Sequence, residues 1–283
     1  MKKKQAKPAA KVSVCRLLLY FFSFFWALMT IFPLLLTFLS SMKNNVEINL
    51  GMFNLPRTWR FENYVEAVRS ANIVRAVGNS IFLSVMATLL LTVIGIMVSY
   101  VLSRKKFVFI KPMYSLFMVG IMVPVHCAII PISTLAGSLH AKNQYWFLIL
   151  VYVAFNISQA VFLYTGFING INKEIDEAAL IDGCDDFKLL SRIMLPMCKP
   201  IISTEAIFML TYCYGELIFA LTLLSDADKY TMSRALLSFT GNHSISYGPI
   251  FASIIIAVLP MVVLYITFHE KVQAGMMAGA VKG

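Results

Sequence analysis

The chain has 283 residues, 59% of them hydrophobic and only 13% charged, with a mean hydropathy of +0.77. A soluble domain carries roughly 25% charged residues, so a water-soluble globular enzyme is set aside at once. The net charge of +10 invites a nucleic-acid reading, but much of it stands beside apolar runs, where anionic lipid attracts it.

Six runs are long enough at about 1.5 Å per residue to cross a ~30 Å hydrocarbon core. They cover 17–39, 81–102, 112–136, 145–167, 201–224 and 250–268. Helices are the expected form, because lipid offers no partner to an unpaired backbone group and the alternation of a barrel is absent. The fold class expected is therefore an all-α integral membrane protein with six transmembrane helices.

Lys2, Lys3, Lys4, Lys7, Lys11 and Arg16 precede the first run. That run is too long for the apolar core of a signal peptide and no A-x-A site follows, so a retained anchor is expected. With the N-terminus inside, sixteen Lys and Arg lie in inner segments and eight in outer ones. This bias places both termini in the cytoplasm. The division expected is a basic N-terminus at 1–16, a permease domain at 17–268 and a cytoplasmic tail at 269–283.

Between spans 1 and 2, FENYVEAVRSANIVRAVGNS spaces Tyr64, Val65, Val68, Ile73 and Val77 for a helix lying at the interface. Span 3 carries Pro124 and Pro131, and each proline removes a backbone donor and bends the rod. In span 4, Asn156, Gln159 and Leu163 share a helical face. In span 5, Glu205, Tyr212 and Glu216 do the same. Ionisable groups inside a span are costly and face a cavity or a partner, which makes Glu216 and Tyr212, with the amides of Asn156 and Gln159, candidates for a solute pathway. Interhelical hydrogen bonding is an equal alternative for the amides, and pairing with a nearby Lys or Arg is one for Glu205. The polar stretch 225–248 before span 6 reads as a connector or an outer docking surface.

The five cysteines show no C-x-x-C pair and read as small buried hydrophobes, with no metal site expected. There is no G-x-x-x-x-G-K-[ST], H-E-x-x-H or G-x-S-x-G, so nucleotide binding through a P-loop, metalloprotease and lipase readings lose support. No catalytic residue is expected.

One segment breaks the pattern. Residues 177–196, EAALIDGCDDFKLLSRIMLP, hold six charged side chains between two apolar runs. Asn172 is placed to cap a helix whose first turn carries Glu174, Asp176 and Glu177. Asp182-Gly183 supplies a break. Asp185 and Asp186 start a second helix, with Phe187, Leu190 and Met194 on one face. A cytoplasmic helix–turn–helix over 170–200 follows. A plain solvated linker is the blander alternative, but an apolar face with nothing of its own chain to cover it marks a docking element.

This segment resembles the EAA loop of importer-type ATP-binding-cassette permeases. Glu177, Ala178, Ala179, Asp182, Gly183, Ile193, Leu195 and Pro196 stand at that pattern's spacings, and Lys199-Pro200 matches the basic-Pro that follows. Cys184 replaces a usual Ala, and Leu190 a common aromatic. The tail FHEKVQAGMMAGAVKG is similar to that of maltose-transporter-type sugar permeases, with Gly275, Gly279, Ala280, Val281, Lys282 and Gly283 in place and His269 for a usual Gln. The entry LPRTWRFENYVEA and span 3 resemble the same family. Where that family shows W-N-E in span 5, Tyr214-Gly215-Glu216 keeps only the acid.

The resemblance implies one of two different permease subunits of a carbohydrate importer in a bacterial or archaeal cell membrane, for which an oligosaccharide is the expected cargo. Its partners would be a second permease, a cytoplasmic ATPase dimer that binds the ATP and Mg, and an extracytoplasmic solute-binding protein, with no cofactor on this chain. The EAA residues would couple to the ATPase, and Gly279, Lys282 and Gly283 would reach its interface. A secondary transporter, driven by an ion gradient, is the alternative class, but it calls for internal repeats that the two halves lack. A non-transporting scaffold is a third reading.

Overall fold

The computed structural model describes residues 14–70, 72–240 and 246–280. In chain order the helices are α1 (Val14–Ser41), α2 (Asn45–Leu50), α3 (Glu62–Ser70), α4 (Ile73–Arg104), α5 (Ile110–Met122), α6 (Ile129–Ser138) and α7 (Tyr145–Asn169). There follow α8 (Glu174–Ile181), α9 (Asp186–Lys188), α10 (Leu195–Met197), α11 (Lys199–Gly215), α12 (Ile218–Leu223), α13 (Met232–Leu236) and α14 (Tyr247–Ala280). Among the described residues four helices are long and apolar enough to cross a membrane, and six if each of two bent pairs counts as one crossing.

The contacts divide the chain into two units. The smaller holds α1, α2, the loop to Glu66 and residues 246–255. None of the residues in the spanning part of α1 is buried inside the chain, so its Leu, Phe and Trp side chains are free to meet lipid or another protein. Just past α1 the chain is fastened by polar groups. Asn63 donates through Nδ2 to the carbonyls of Ser41 (2.8 Å) and Lys43 (2.9 Å). Lys43 is fully buried and donates to the carbonyl of Met52 at 2.9 Å; burial lowers its ammonium below the ordinary lysine range. Gly248 lies against this knot, because a Cβ there would stand 2.5 Å from Asn63 Nδ2 and 2.7 Å from the Lys43 carbonyl.

The larger unit is a helical bundle built on α4, α7 and α11. Its core includes Leu83, Leu91, Leu148, Tyr152, Tyr164 and Ile168, each shielded completely. Small residues let the rods approach: a Cβ on Gly95 would press the Tyr164 ring at 3.1 Å, and one on Gly120 would overlap Ser158 Oγ at 2.3 Å. In lipid, where apolar side chains gain little by leaving one tail for another, such close contact is the main source of helix association.

Several expected boundaries change. The 112–136 span is not one rod, because α5 and the following segment meet at 93° around Val123-Pro124. Pro124 has no amide hydrogen and disfavours the helical region for the residue before it. The 201–224 span begins earlier, at Lys199, and its α-helix stops at Gly215 before α12 resumes. The interfacial stretch also divides: Asn72 takes a left-handed φ of 47°, and Ile73–Ser80 becomes the first turns of α4. The final helix runs on past 268 to Ala280. The early lysines, Lys282 and Gly283 lie outside the described residues.

The loops of the larger unit sort to two ends. At one, Asn143 donates its amide to the Leu223 carbonyl at 2.7 Å, and Arg75 pairs with Asp228 at 2.5 Å. At the other, Arg104 donates to the Ile171 carbonyl at 3.0 Å.

Candidate coupling loop and intramembrane polar site

The segment after α7 is a short helical hairpin. Asn172 Oδ1 accepts the Glu174 amide at 3.2 Å and starts α8, whose first turn carries the three acids. The helix stops at Asp182, and Gly183 follows with φ +79°, a conformation that costs an L side chain about 1–2 kcal/mol and glycine little. Asp185 then caps the next turn, its carboxylate accepting the Lys188 amide at 2.7 Å. That bond holds the Asp185 carboxyl below its ordinary range.

From Leu189 to Met194 the backbone is π-helical. The wider turn brings residues five apart onto one side, so Leu189 and Met194 bury together against Ala179 and Tyr100. The expected face of Phe187, Leu190 and Met194 is thereby corrected. Phe187 points away and is 75% exposed, alongside Ile181 at 87% and Leu180 at 55%. These three form the apolar outer surface of the hairpin.

Of the EAA residues, Ala179 is buried and Ile193 half-buried, whereas Glu177, Ala178, Asp182, Gly183, Leu195 and Pro196 are exposed. No spacing or motif signals what holds the hairpin. Arg104 Nε stands 2.5 Å from Asp176 Oδ2, both side chains nearly shielded from solvent. The approach is an ion pair without an aligned N–H···O bond. Burial pushes the Asp176 carboxyl up, while Arg104 and Lys173 pull the other way. Lys105 Nζ lies 2.6 Å from both carboxylate oxygens of Asp186.

The second site lies inside the bundle between α7 and the α11–α12 break. Glu216 Oε1 accepts the Phe219 amide at 2.8 Å, and Oε2 accepts the Ala220 amide at 3.1 Å and the Tyr152 hydroxyl at 2.9 Å. Asn156 donates to the Tyr152 carbonyl and lies beside the Tyr212 hydroxyl; the Tyr152 and Tyr212 rings meet edge-on with centroids 6.2 Å apart. Three of the four pathway candidates, Asn156, Tyr212 and Glu216, are thus brought together, and Tyr152 joins them. Its place one turn before Asn156 on α7 was the available signal. Gln159 lies elsewhere on α7, beside Glu205. The pairing of Glu205 with a Lys or Arg is absent among the described residues; the side chain is 1% exposed, and Oε2 has no hydrogen-bond partner.

Residues 91–277 match the family described as the binding-protein-dependent transport system inner membrane component. The diacetylchitobiose uptake system permease protein NgcG of Streptomyces coelicolor is 32% identical over 256 residues, covering 90% of this chain and 85% of that protein. The probable starch degradation products transport system permease protein AmyC of Thermoanaerobacterium thermosulfurigenes is 28% identical over 272 residues, 96% of this chain and 99% of that one. In structure, the chain is similar to one from a bacterial ATP-binding-cassette transporter that imports the acidic polysaccharide alginate: TM-score 0.80, 17% identity, 94% of this chain and 99% of that chain.

The chain belongs to the binding-protein-dependent transport system inner membrane component family. It is a multi-pass membrane permease subunit of an ATP-binding-cassette importer that works with a solute-binding protein, and as a permease subunit it is not an enzyme.

Proposed function

We propose that the chain carries a carbohydrate, in oligosaccharide form, across a bacterial or archaeal cell membrane as one of two different permease subunits. Its six spans count each bent segment as one crossing, with both termini cytoplasmic as the Lys and Arg bias requires. The α8–α9 hairpin docks in a cleft of a cytoplasmic ATPase subunit, which binds the ATP and Mg. Glu177 makes a charge-assisted contact there, and Gly183 lets the two backbones close. Gly279, Lys282 and Gly283 extend toward the same partner. Closure of the ATPase on ATP moves the hairpin and shifts the bundle between two arrangements, while the binding protein delivers solute to the outer loops.

The observation that supports this most is the hairpin itself. It has EAA spacing, a left-handed glycine, exposed Leu180, Ile181 and Phe187, and ion pairs that fix it to the bundle. The relatives' names support carbohydrate as the cargo, and the half-buried Asn156 and Tyr212 offer the amide and aromatic groups that suit sugar hydroxyls and ring faces. Glu216 orders this cluster through its bonds to Tyr152 and to the backbone of α12, and its Oε1, with one bond, keeps an acceptor site for solute.

The test is co-purification with the ATPase, followed by reconstitution in vesicles. Glu177→Lys and Gly183→Asp are expected to release the ATPase. Sugar uptake by this chain alone, without ATPase or ATP, would overturn the reading.

A further inference from the structure

The larger unit contains one helix whose two ends are both fastened to loops. Helix α4 has 32 residues, about 48 Å at 1.5 Å per residue, with no proline and no break. At its inner end Arg104 pairs with Asp176 and donates to the Ile171 carbonyl, and Lys105, its next residue, pairs with Asp186. At its outer end Arg75 pairs with Asp228, and Asn79 donates to the carbonyls of Asp228 (2.9 Å) and Tyr230 (3.0 Å). Ser80 then accepts the Met232 amide at 2.7 Å. One rigid rod therefore holds the α8–α9 hairpin at one end and the 226–232 loop at the other.

The inner fastening is the stronger. Arg104 and Asp176 have side chains only 5% and 12% exposed, and a buried pair that loses one partner leaves an unsatisfied charge behind. Nothing in the spacing of the EAA segment requires an arginine seventy residues earlier, and Asp176 itself precedes the matched positions. Buried ion pairs add little net stability, and in some proteins they specify one arrangement.

We propose that Arg104 and Asp176, backed by Lys105 and Asp186, are positioning residues that lock the coupling hairpin to α4, so that α4 carries displacement between the hairpin and the 226–232 loop. The proposal rests on the reading of the hairpin as the ATPase-docking segment. A docked partner on either side then acts through a rod with fixed ends instead of through flexible linkers; the same helix is bonded to both loops, and the coupling itself is what the importer assay measures.

The test uses the full importer in lipid vesicles, with its second permease, ATPase and binding protein. Asp176→Arg is expected to leave the ATPase bound but to lower uptake and binding-protein stimulation of ATP hydrolysis by about tenfold, the scale of a typical coupling energy. The reversed pair, Arg104→Asp with Asp176→Arg, is expected to recover most of it. Because the buried reversal can impair folding, the exposed pair gives a second reading: Lys105→Cys and Asp186→Cys, in a cysteine-free background, are joined by a bifunctional thiol reagent. If hairpin and helix move as one body, uptake survives the link. Loss of uptake on linking, with the ATPase still bound, overturns the proposal, as does wild-type stimulation in Asp176→Arg. Release of the ATPase by none of the docking variants would instead overturn the docking reading. At the outer end, Asn79→Ala is expected to reduce stimulation and leave basal hydrolysis unchanged; unchanged stimulation would remove the outer loop from the proposal.

Discussion

The Tyr152 hydroxyl donates to Glu216 Oε2 across 2.9 Å, and the same carboxylate accepts the amides of Phe219 and Ala220. An acid that sequence reading placed on a solute path is thus the cap of a half-helix inside the bundle. Hydrogen bonds to a charged group contribute about 1.5–3 kcal/mol each. Glu216→Ala is expected to cost on the order of 2–4 kcal/mol and Tyr152→Phe about 1 kcal/mol. Together they should cost less than the sum, since both remove one bond. Thermal unfolding in detergent measures this, and an unchanged midpoint for Glu216→Ala would sink it.

Gly183 holds φ +79° with nothing within 4 Å of where a Cβ would sit. The cost of Gly183→Ala is therefore all backbone, about 1–2 kcal/mol, with no clash. Gly183→Asn, which tolerates the left-handed region, should cost less. Hydrogen exchange of the Cys184 amide, bonded to the Ala179 carbonyl at 2.9 Å, reports both. Equal exchange in the two variants would show that the turn is not strained.

Gly120 and Ser158 make a different case, because here the space is missing. A Cβ at 120 would stand 2.3 Å from Ser158 Oγ, so Gly120→Ala is expected to destabilise by about 1–3 kcal/mol through overpacking. Adding Ser158→Ala removes the obstructing oxygen and should return most of the loss. Additive losses in the double variant would refute the assigned contact.

Glu205 offers a stabilising change. Its side chain is buried, and Oε2 lacks a hydrogen-bond partner. Gln159 bonds the carboxyl on one side, and burying the remaining polar oxygen without a partner is costly. Glu205→Gln keeps the shape beside Gln159 and is expected to raise the unfolding midpoint, by roughly 1 kcal/mol or more. A fall as large as that of Glu216→Ala would argue for an essential charge.

The Asp185 cap sets a pH dependence. Its carboxyl titrates below the ordinary 3.8 because the ionised form accepts the Lys188 amide. The unfolded chain therefore binds the proton first, so the cap's contribution is complete above pH 3.8 and is lost as pH falls through the lower folded value. Protection of the Lys188 amide should fall over that acid range, and Asp185→Ala should abolish the dependence. Protection that persists unchanged into strong acid would remove the cap from the account.

Much of the larger unit could be read from the chain. The 145–167 run became α7 nearly residue for residue, and the Asp182-Gly183 break fell where the glycine stands. The misses have a common cause, in that each depends on a partner distant in sequence. A 3.6-residue period sets Phe187, Leu190 and Met194 on one face, whereas π-helical backbone at 189–194 turns Leu189 and Met194 inward and leaves Phe187 outside. The bonds of Glu216 to Tyr152 and to the α12 backbone are likewise invisible to spacing. Arg104 read as one of a basic run, and Asn63 and Gly248 drew no notice. Their roles come from atoms some seventy, twenty and two hundred positions away.

The bend at Val123-Pro124 and the stop at Gly215 also leave backbone groups that need partners inside a membrane. A helix interrupted in hydrocarbon frees backbone groups that lipid cannot solvate. At the second interruption a carboxylate from the same chain takes up the freed amides, so that seam is sealed by the protein itself. At the first, the neighbouring turn supplies the bonds, with Val123 donating to Gly120 and Cys127 to Pro124. Val123 and Met122 remain exposed. The bundle therefore closes one break with a carboxylate and leaves the apolar Met122 and Val123 of the other at its surface.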